Sequence, residues 1–183
     1  MIRNVKPLLA MPLFCLAPLV AGAAGADGSP LPSDYVALRP SETVQLPSRP
    51  VDGAKAFLAY VTQDYLLMNW TGLNAYVWNG LTGGGVLPNP LAPTAVNTWS
   101  GNAVTAVPVG TYLQSFGYTT NPADMGGAAK TCLWDVQVTQ TGGVCTGTIT
   151  TYALGTQGVQ CLLWNGSAVD PNTCQAVVGV GLQ

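Results

Sequence analysis

From Leu73 to the end of the chain, apolar and polar residues alternate in short runs that are separated by glycine- and asparagine-rich turns. Residues 131–140 and 144–154 are the clearest runs, and Gly142-Gly143 separates them. A last apolar run, residues 176–182, ends the chain. Alternation at intervals of about eight to twelve residues is typical of antiparallel strands. The pattern predicts a mainly β fold, either an antiparallel sandwich or a barrel-like sheet.

An earlier stretch, residues 52–70, has a different period. Its apolar residues recur at steps of three and four: Ala54, Phe57, Leu58, Val61, Tyr65 and Met68. Asp52 suits the N-cap position, where a carboxylate accepts backbone N–H groups. This spacing predicts one helix over about 52–70 that packs on the sheet.

Residues 27–50 have the composition of an extended arm. Prolines that break a helix and interrupt a sheet are spread along it: Pro30, Pro32, Pro40, Pro47 and Pro50. Residues 41–46 alternate like one short strand, whose assembly residues are Glu42, Thr43, Val44, Gln45 and Leu46. The arm has three placements open to it: unpacked, packed on its own domain, or added as a strand to the sheet of a neighbouring molecule.

The first 26 residues have the three parts of a secretory signal peptide. Arg3 and Lys6 supply positive charge, residues 8–20 are apolar, and residues 21–26 are small and suited to cleavage. A membrane anchor is the alternative, but the apolar run is short and contains Pro12 and Pro18.

The alanine-rich signal indicates a bacterial protein that is secreted or held at the cell surface, with no stable membrane span after cleavage. The chain then divides into a signal peptide (1–26), the arm (27–50) and one β-rich domain (51–183) that contains the helix and a disulfide-stabilised C-terminal part. A chain of 183 residues is long enough for one such domain with a sizeable core.

Charge is scarce, since only 8% of the residues are charged. After removal of the signal, eight acidic residues face four basic ones, Arg39, Arg49, Lys55 and Lys130, which leaves a net charge of about −4. A nucleic-acid partner is not expected, because such proteins need a basic patch to bind phosphates. Neutral polar side chains dominate the surface instead, as in secreted or assembled proteins.

Four cysteines remain after cleavage of the signal, and an even number in an exported chain predicts disulfides. Cys132 and Cys145 enclose twelve residues, as do Cys161 and Cys174. This equal spacing favours two local bridges. Hairpin geometry opposes them, because a turn at Gly142 places Cys145 far from Cys132 along the paired strands. The crossed pairings therefore stay open. Zinc sites need closer cysteine spacing, so no metal is expected.

Catalytic chemistry has little support in this sequence. Histidine is absent, which excludes nucleophile–histidine pairs and histidine metal sites. A two-carboxylate glycosidase remains compatible with the composition, with Asp64, Asp124, Asp135 and Asp170 as candidates, but none lies in a distinctive motif. Asp170 and Asn172 suit a capped turn better than a calcium site. We expect a protein that is not an enzyme and binds no cofactor.

Three tryptophans stand directly before turn residues: Trp78, Trp99 and Trp164. Rings at loop tips can stack on the apolar faces of sugars. The structural alternative is that these rings cover the ends of the sandwich core, because tryptophan has a large apolar body and one polar N–H. Asn165-Gly166, which follows Trp164, also predicts a tight reversal of the chain.

These features favour a secreted, non-enzymatic structural or adhesive subunit of an extracellular assembly, such as a filament, a fimbria-like structure or a matrix. Self-association through β-strand addition of the arm is the expected mode of assembly. The alternative is a monomeric secreted binding module for a glycan or another surface ligand, which would use the tryptophans at its loop tips.

Overall fold

A computed structural model of the chain describes residues 33–51, 60–83, 85–94 and 99–183. Eleven strands in this part of the chain form two sheets. The strands are β1 (Tyr35–Leu38), β2 (Thr43–Leu46), β3 (Tyr60–Asn69), β4 (Tyr76–Asn79), β5 (Gly101–Pro108), β6 (Tyr112–Thr119), β7 (Thr131–Thr141), β8 (Val144–Leu154), β9 (Cys161–Trp164), β10 (Ala168–Val169) and β11 (Ala176–Leu182).

Sheet I has the order β1-β9-β11-β3-β5, with β10 beside β11, and sheet II has the order β2-β8-β7-β6-β4. The predicted mainly β fold is confirmed, and it is a sandwich. Every neighbouring pair of these strands is antiparallel except β3 and β11, which run parallel. The sandwich is therefore mixed, whereas the sequence pattern predicts antiparallel pairing alone.

The core lies between the two sheets and is filled by their inward-facing side chains. Three aromatic rings form its centre. Tyr65 in sheet I meets Phe116 in sheet II edge-on, with ring centroids 4.8 Å apart, and Phe116 lies 5.7 Å from Trp134. Trp134 is only 1% exposed. Large buried rings of this kind contribute much of the apolar area that a sandwich removes from water.

The predicted helix over about 52–70 is wrong for its second half, which is strand β3, and residues 52–59 lie outside the described residues. β3 is a central strand between β11 and β5, and it buries Tyr65 and Leu67 on one face and Met68 on the other. Its inward positions include the polar Gln63 and Asn69, whereas its outward positions include the apolar Leu66 and Met68. The apolar residues therefore do not alternate, and they recur at steps of three and four by coincidence. β-branched and aromatic residues such as Val61 favour the strand.

The predicted signal peptide (1–26) and the first residues of the arm also lie outside the described residues. Where the chain is described, it contains no helix with the length and apolar character needed to span a membrane.

The four cysteines form two disulfides, Cys132–Cys161 and Cys145–Cys174, so the local pairings are wrong. The cause is the β7–β8 hairpin, whose register sets Cys132 opposite Ala153 and Cys145 opposite Gln140. The hairpin thereby separates the first two cysteines by most of its length. The bridged Cα atoms are 5.6 and 5.2 Å apart, within the usual range. Each bridge joins sheet II to the part of the chain that builds sheet I, and both are compatible with an extracellular protein.

Asn165-Gly166 does not reverse the chain as predicted. β9 and β10 are both antiparallel to β11, with Leu163 opposite Val180 and Ala168 opposite Val177. Residues 164–167 are therefore an outward bulge in one interrupted strand, and we call them the bulge. Ser167 holds it in place, because its hydroxyl accepts the Gly179 N–H at 3.0 Å.

Gly147 in β8 is expected to tolerate no side chain. A Cβ atom there would meet Cγ2 of Val169 and would lie 3.2 Å from Cδ1 of Leu46. Overpacking of this kind costs about 1–3 kcal/mol, so Gly147→Ala should lower the free energy of unfolding by that amount in urea titrations. Gly126→Ala is the matched control, because a Cβ at Gly126 meets no atom within 4 Å. Equal stability of the two variants would contradict this packing.

Candidate functional site

The described part of the arm, residues 33–50, supplies an outermost strand to each sheet. β1 pairs with β9, so that Leu38 lies opposite Cys161 in sheet I. The chain then crosses to sheet II, where β2 pairs with β8 and Leu46 lies opposite Gly147. Ser48 returns to sheet I and bridges Val169. The arm therefore pairs with both sheets and connects them along one side of the sandwich.

Two side chains anchor the arm in the core: Leu46 is 1% exposed and Leu38 is 6% exposed. Tyr35, which is 9% exposed, is buried on the outer face of sheet I. Burial of a leucine side chain contributes about 1.5–3 kcal/mol, so these contacts make the arm part of the folded domain. Of the three placements that the sequence leaves open, the structure has the arm packed on its own domain.

The residues predicted to form the assembly strand lie together at this edge. Glu42 closes the turn that enters β2, since one of its carboxylate oxygens accepts the Arg39 N–H at 2.7 Å. The Thr43 hydroxyl lies 2.8 Å from that of Thr150 on β8. Val44, Gln45 and Leu46 follow in register with Ile149, Thr148 and Gly147.

The end of the arm is tied to the chain before β11 through Asp170. The two carboxylate oxygens accept the N–H groups of Asn172 at 2.9 Å, Thr173 at 3.0 Å and Val51 at 3.2 Å. Burial disfavours the charged carboxylate, but the N–H groups outweigh it and lower the pKa of Asp170. Asp170 therefore fits the predicted capped turn.

Asp170→Asn is expected to destabilise the protein at neutral pH, by about 1–3 kcal/mol for a charged acceptor of three amides. Because the pKa of Asp170 is lowered on folding, its charged form stabilises the fold above the pKa of the unfolded chain, about 4. That contribution is lost as the pH falls through the lower pKa of the folded state. Urea unfolding measures the free energy of unfolding of the variant and of wild type at pH 7 and in strong acid. The difference between the two proteins should be smaller in strong acid than at pH 7. Asn172→Ala, which keeps the carboxylate and its amide donors, should show no such trend.

Trp99 and Trp164 come together on the outer face of sheet I, at a centroid distance of 5.5 Å. Tyr35 contacts Trp99 at 6.2 Å and Trp70 at 5.1 Å. We call these four residues the aromatic cluster. Trp78 lies apart from it, on β4 at the edge of sheet II, with 39% of its surface exposed.

The sequence singles out Trp99 and Trp164 but misses Tyr35 and Trp70, which belong to distant segments. One signal was present: β11 contains Gly179 among β-branched residues, and glycine inside a strand often marks a close approach. A Cβ at Gly179 would lie 2.7 Å from Cβ of Trp164 and 2.9 Å from the ring of Trp99. The glycine therefore makes room for the two tryptophans.

Two open clefts flank the bulge, and Trp164 borders both. The larger, of about 350 Å³, lies between the bulge and residues 49–51, which are the end of the arm and the residue after it. The smaller, of about 220 Å³, lies between the bulge and strands β1 and β2 of the arm. The arm thus forms one wall of each cleft.

The candidate carboxylates are separated or already engaged. Asp64 lies on the outer face of sheet I, where Gln175 donates to it at 3.4 Å. Asp135 alternates with the buried residues of β7 and lies on the outer face of sheet II. These two acids therefore cannot flank one bond as a glycosidase pair does. Asp124 accepts the Ala128 N–H in a turn. Within the described ranges, no group of three or more cysteines and acids is placed to hold a metal ion.

The buried tyrosines carry no charge at neutral pH. Burial raises the pKa of the Tyr65, Tyr112 and Tyr118 phenols above the ordinary value. Tyr118 donates to the Pro88 carbonyl at 2.8 Å, which fixes a loop rather than a reactive group.

No family model matches the chain, and neither a curated protein nor a solved structure matches it. The function proposed below therefore rests on the arm edge, the aromatic cluster and the two clefts.

Proposed function

We propose that this protein is a secreted, non-enzymatic structural or adhesive subunit of an extracellular bacterial assembly, and that subunits associate by exchanging their N-terminal arms. The position of the arm carries the proposal. β1 and β2 are the outermost strands on one side of the sandwich, so every contact that the arm makes with its own sheets is one that it can make with a neighbour's. Addition of a strand to a sheet edge is a common mode of recognition.

Exchange of the arm is energetically inexpensive because it conserves the folded contacts. The buried anchors and the pairings with β8 and β9 are the same in both arrangements, as in domain swapping generally. What changes is the effective concentration of the arm, which is of millimolar order within one chain. Dilute protein therefore favours the closed monomer, whereas crowding at a cell surface favours exchange.

The surface chemistry supports an assembled state. With only 8% charged residues, neighbouring subunits bury few charges when they associate. Burial of unpaired charges is the costliest part of forming a contact, so its absence favours close packing of subunits. Two disulfides also suit a subunit that must remain folded outside the cell.

Cysteine pairs across the β2–β8 edge test the exchange. Gln45 and Thr148 are directly opposite, and bridged Cα atoms must lie within about 7 Å. The Gln45→Cys protein is mixed with the Thr148→Cys protein at high concentration, and the mixture is oxidised. Mass spectrometry then identifies the disulfide-linked species. We expect a disulfide between one chain of each kind, and a filament or oligomer of wild type in electron microscopy.

Two controls make the result decisive. Gln137→Cys lies one strand beyond Thr148 and should not bridge to Gln45→Cys. The double variant Gln45→Cys/Thr148→Cys should form the bridge within one chain when dilute. A bridge in the double variant with none in the mixture, at any concentration, would refute arm exchange.

A second function, a carbohydrate-binding module, is favoured by the aromatic cluster. Trp99 and Trp164 are adjacent and only partly buried, beside an open cleft. We expect Trp164→Ala to weaken retention on immobilised glycans and Trp78→Ala to leave it unchanged. Equal retention by both variants and wild type would remove this alternative.

A further inference from the structure

We propose that the larger cleft binds a sugar that carries a carboxylate, such as a uronic acid residue of an acidic polysaccharide. The cleft is the one between residues 49–51, at the end of the arm, and the bulge. This inference deepens the carbohydrate-binding function proposed above, and it does not require exchange of the arm.

The cleft has the size and lining of a small-ligand site. Its volume of about 350 Å³ falls within the usual range of about 300–1,000 Å³ for ligand pockets. Ala168 and Val177, which are paired on the outer face of sheet I, form an apolar floor. Trp164 and Gly166 of the bulge form one wall, and the arm forms the other.

The indole of Trp164 is held rigidly at this wall. Gly166 lies so close to the ring that a Cβ there would overlap the indole, and Trp99 meets the ring edge-on from another side. A platform that is fixed before binding loses little conformational entropy when a ligand stacks on it. The C–H face of a pyranose is the complementary partner for such a ring.

Arg49 adds a positive charge to the arm wall. Its Nη2 donates to the Gly166 carbonyl, which directs the guanidinium toward the bulge. Within the described ranges the guanidinium contacts this carbonyl and no carboxylate. Because a guanidinium has five N–H donors, most remain for a ligand, and their planar fork matches a carboxylate.

Two acids on the elements around the cleft are already engaged. Asp170 is engaged by three backbone N–H groups, and Asp64, opposite Val177 on β3, accepts from Gln175. In a chain with a net charge of about −4 after removal of the signal, an anion is not attracted from a distance. Selection of an acidic sugar must therefore come from the local contact with Arg49.

The site is complete only when an arm is seated, because the cation and the tryptophan come from opposite walls. In an arm-exchanged assembly, Arg49 of one subunit would complete the cleft beside Trp164 of the next. Ligand binding would then stabilise the seated arm, since a ligand stabilises the state to which it binds.

To test the site, the dilute, monomeric mature protein is titrated with a galacturonate oligomer. Calorimetry and tryptophan fluorescence measure the binding. We expect saturable binding, and binding at least about tenfold weaker for the methyl-esterified oligomer, which keeps the shape but lacks the charge. Arg49→Gln should lose about tenfold in affinity, and Arg49→Lys should lose less. Trp164→Phe should weaken the binding of both oligomers.

Matched controls separate this site from general charge effects and from loss of folding. Arg39→Gln removes a cation from the same arm outside the cleft, and Trp78→Phe alters an exposed ring on the other sheet; both should bind as wild type. The unfolding midpoint of every variant is measured beside its affinity. Absence of saturable binding, equal binding of both oligomers, or equal effects of Arg49→Gln and Arg39→Gln would overturn the proposal. Because the protein is monomeric here, failure of arm exchange in the cysteine experiment leaves this result unaffected.

Discussion

Leu46→Ala is expected to lower the free energy of unfolding by about 3 kcal/mol, because truncation of a fully buried leucine removes its burial energy and leaves a cavity. Leu46 is 1% exposed and lies opposite Gly147 in the β2–β8 pairing, where the arm enters the core. Urea unfolding of the mature protein measures the loss. Hydrogen exchange should also speed up in β2 and β8, whose pairing depends on this anchor.

Gln45→Ala is the matched control for this anchor. Gln45 is the neighbouring residue on β2, but its side chain is exposed, so its loss should change stability by no more than about 0.5 kcal/mol. If Leu46→Ala were no more destabilising than Gln45→Ala, the arm would not be seated in the core. Both proposed functions would then lose their common structural basis.

Loss of one inter-sheet disulfide is expected to lower the free energy of unfolding by about as much as Leu46→Ala does. The double variant Cys132→Ala/Cys161→Ala removes one bridge and should lower the free energy of unfolding by about 3.5 kcal/mol, the loop-closure value for a separation of 29 residues. Made without residues 1–26, and therefore without Cys15, the variant should still fold and contain no free thiol, because Cys145 and Cys174 remain paired. Urea unfolding and thiol titration measure the two expectations.

Cys132→Ala/Cys145→Ala is the informative comparison, since it removes the same number of cysteines but breaks both bridges. It should lose about twice as much stability and leave two thiols without their partners. The opposite ranking of the two double variants would show that the local pairing, Cys132 with Cys145, is correct after all. Peptide mapping of the wild type provides an independent check.

The arm links the two proposed functions. In the closed monomer it completes both sheets and supplies one wall of each cleft beside Trp164. After exchange, the same contacts would join two subunits. An acidic polysaccharide that binds between Arg49 and Trp164 would then hold that junction closed, which suits a subunit that assembles on or within a polysaccharide surface.

The strand pattern of the C-terminal half was predictable because its information is local. Glycine at the turn and alternation on both sides predict the β7–β8 hairpin, and the final apolar run predicts β11. β3 was not predictable in the same way. Its buried face includes the polar Gln63 and Asn69, and its outer face includes the apolar Leu66 and Met68, so the sequence lacks the apolar–polar alternation that distinguishes a strand from a helix.

The candidate site was predictable only in part. Residues 41–46 have the alternation of a strand between prolines, and the tryptophans before turns are visible in the sequence. Which of these rings meet depends on contacts between distant segments. Arg49 looks unremarkable as one of six basic residues in the sequence, and only the fold sets it across a cleft from Trp164.

By itself, the sequence determined the features that depend on composition and on neighbouring residues: a mainly β chain, four cysteines in its last third for two bridges, a strand in the arm, and a surface poor in charge. The tertiary structure alone decided the cysteine partners, the strand nature of residues 60–69, the seating of the arm on both sheets, and the meeting of Trp99 with Trp164. The physical reason is that pairing register and burial are properties of the whole sandwich. A residue's partner across a sheet or a core is chosen by the packing of segments far away in the chain, which no local pattern contains.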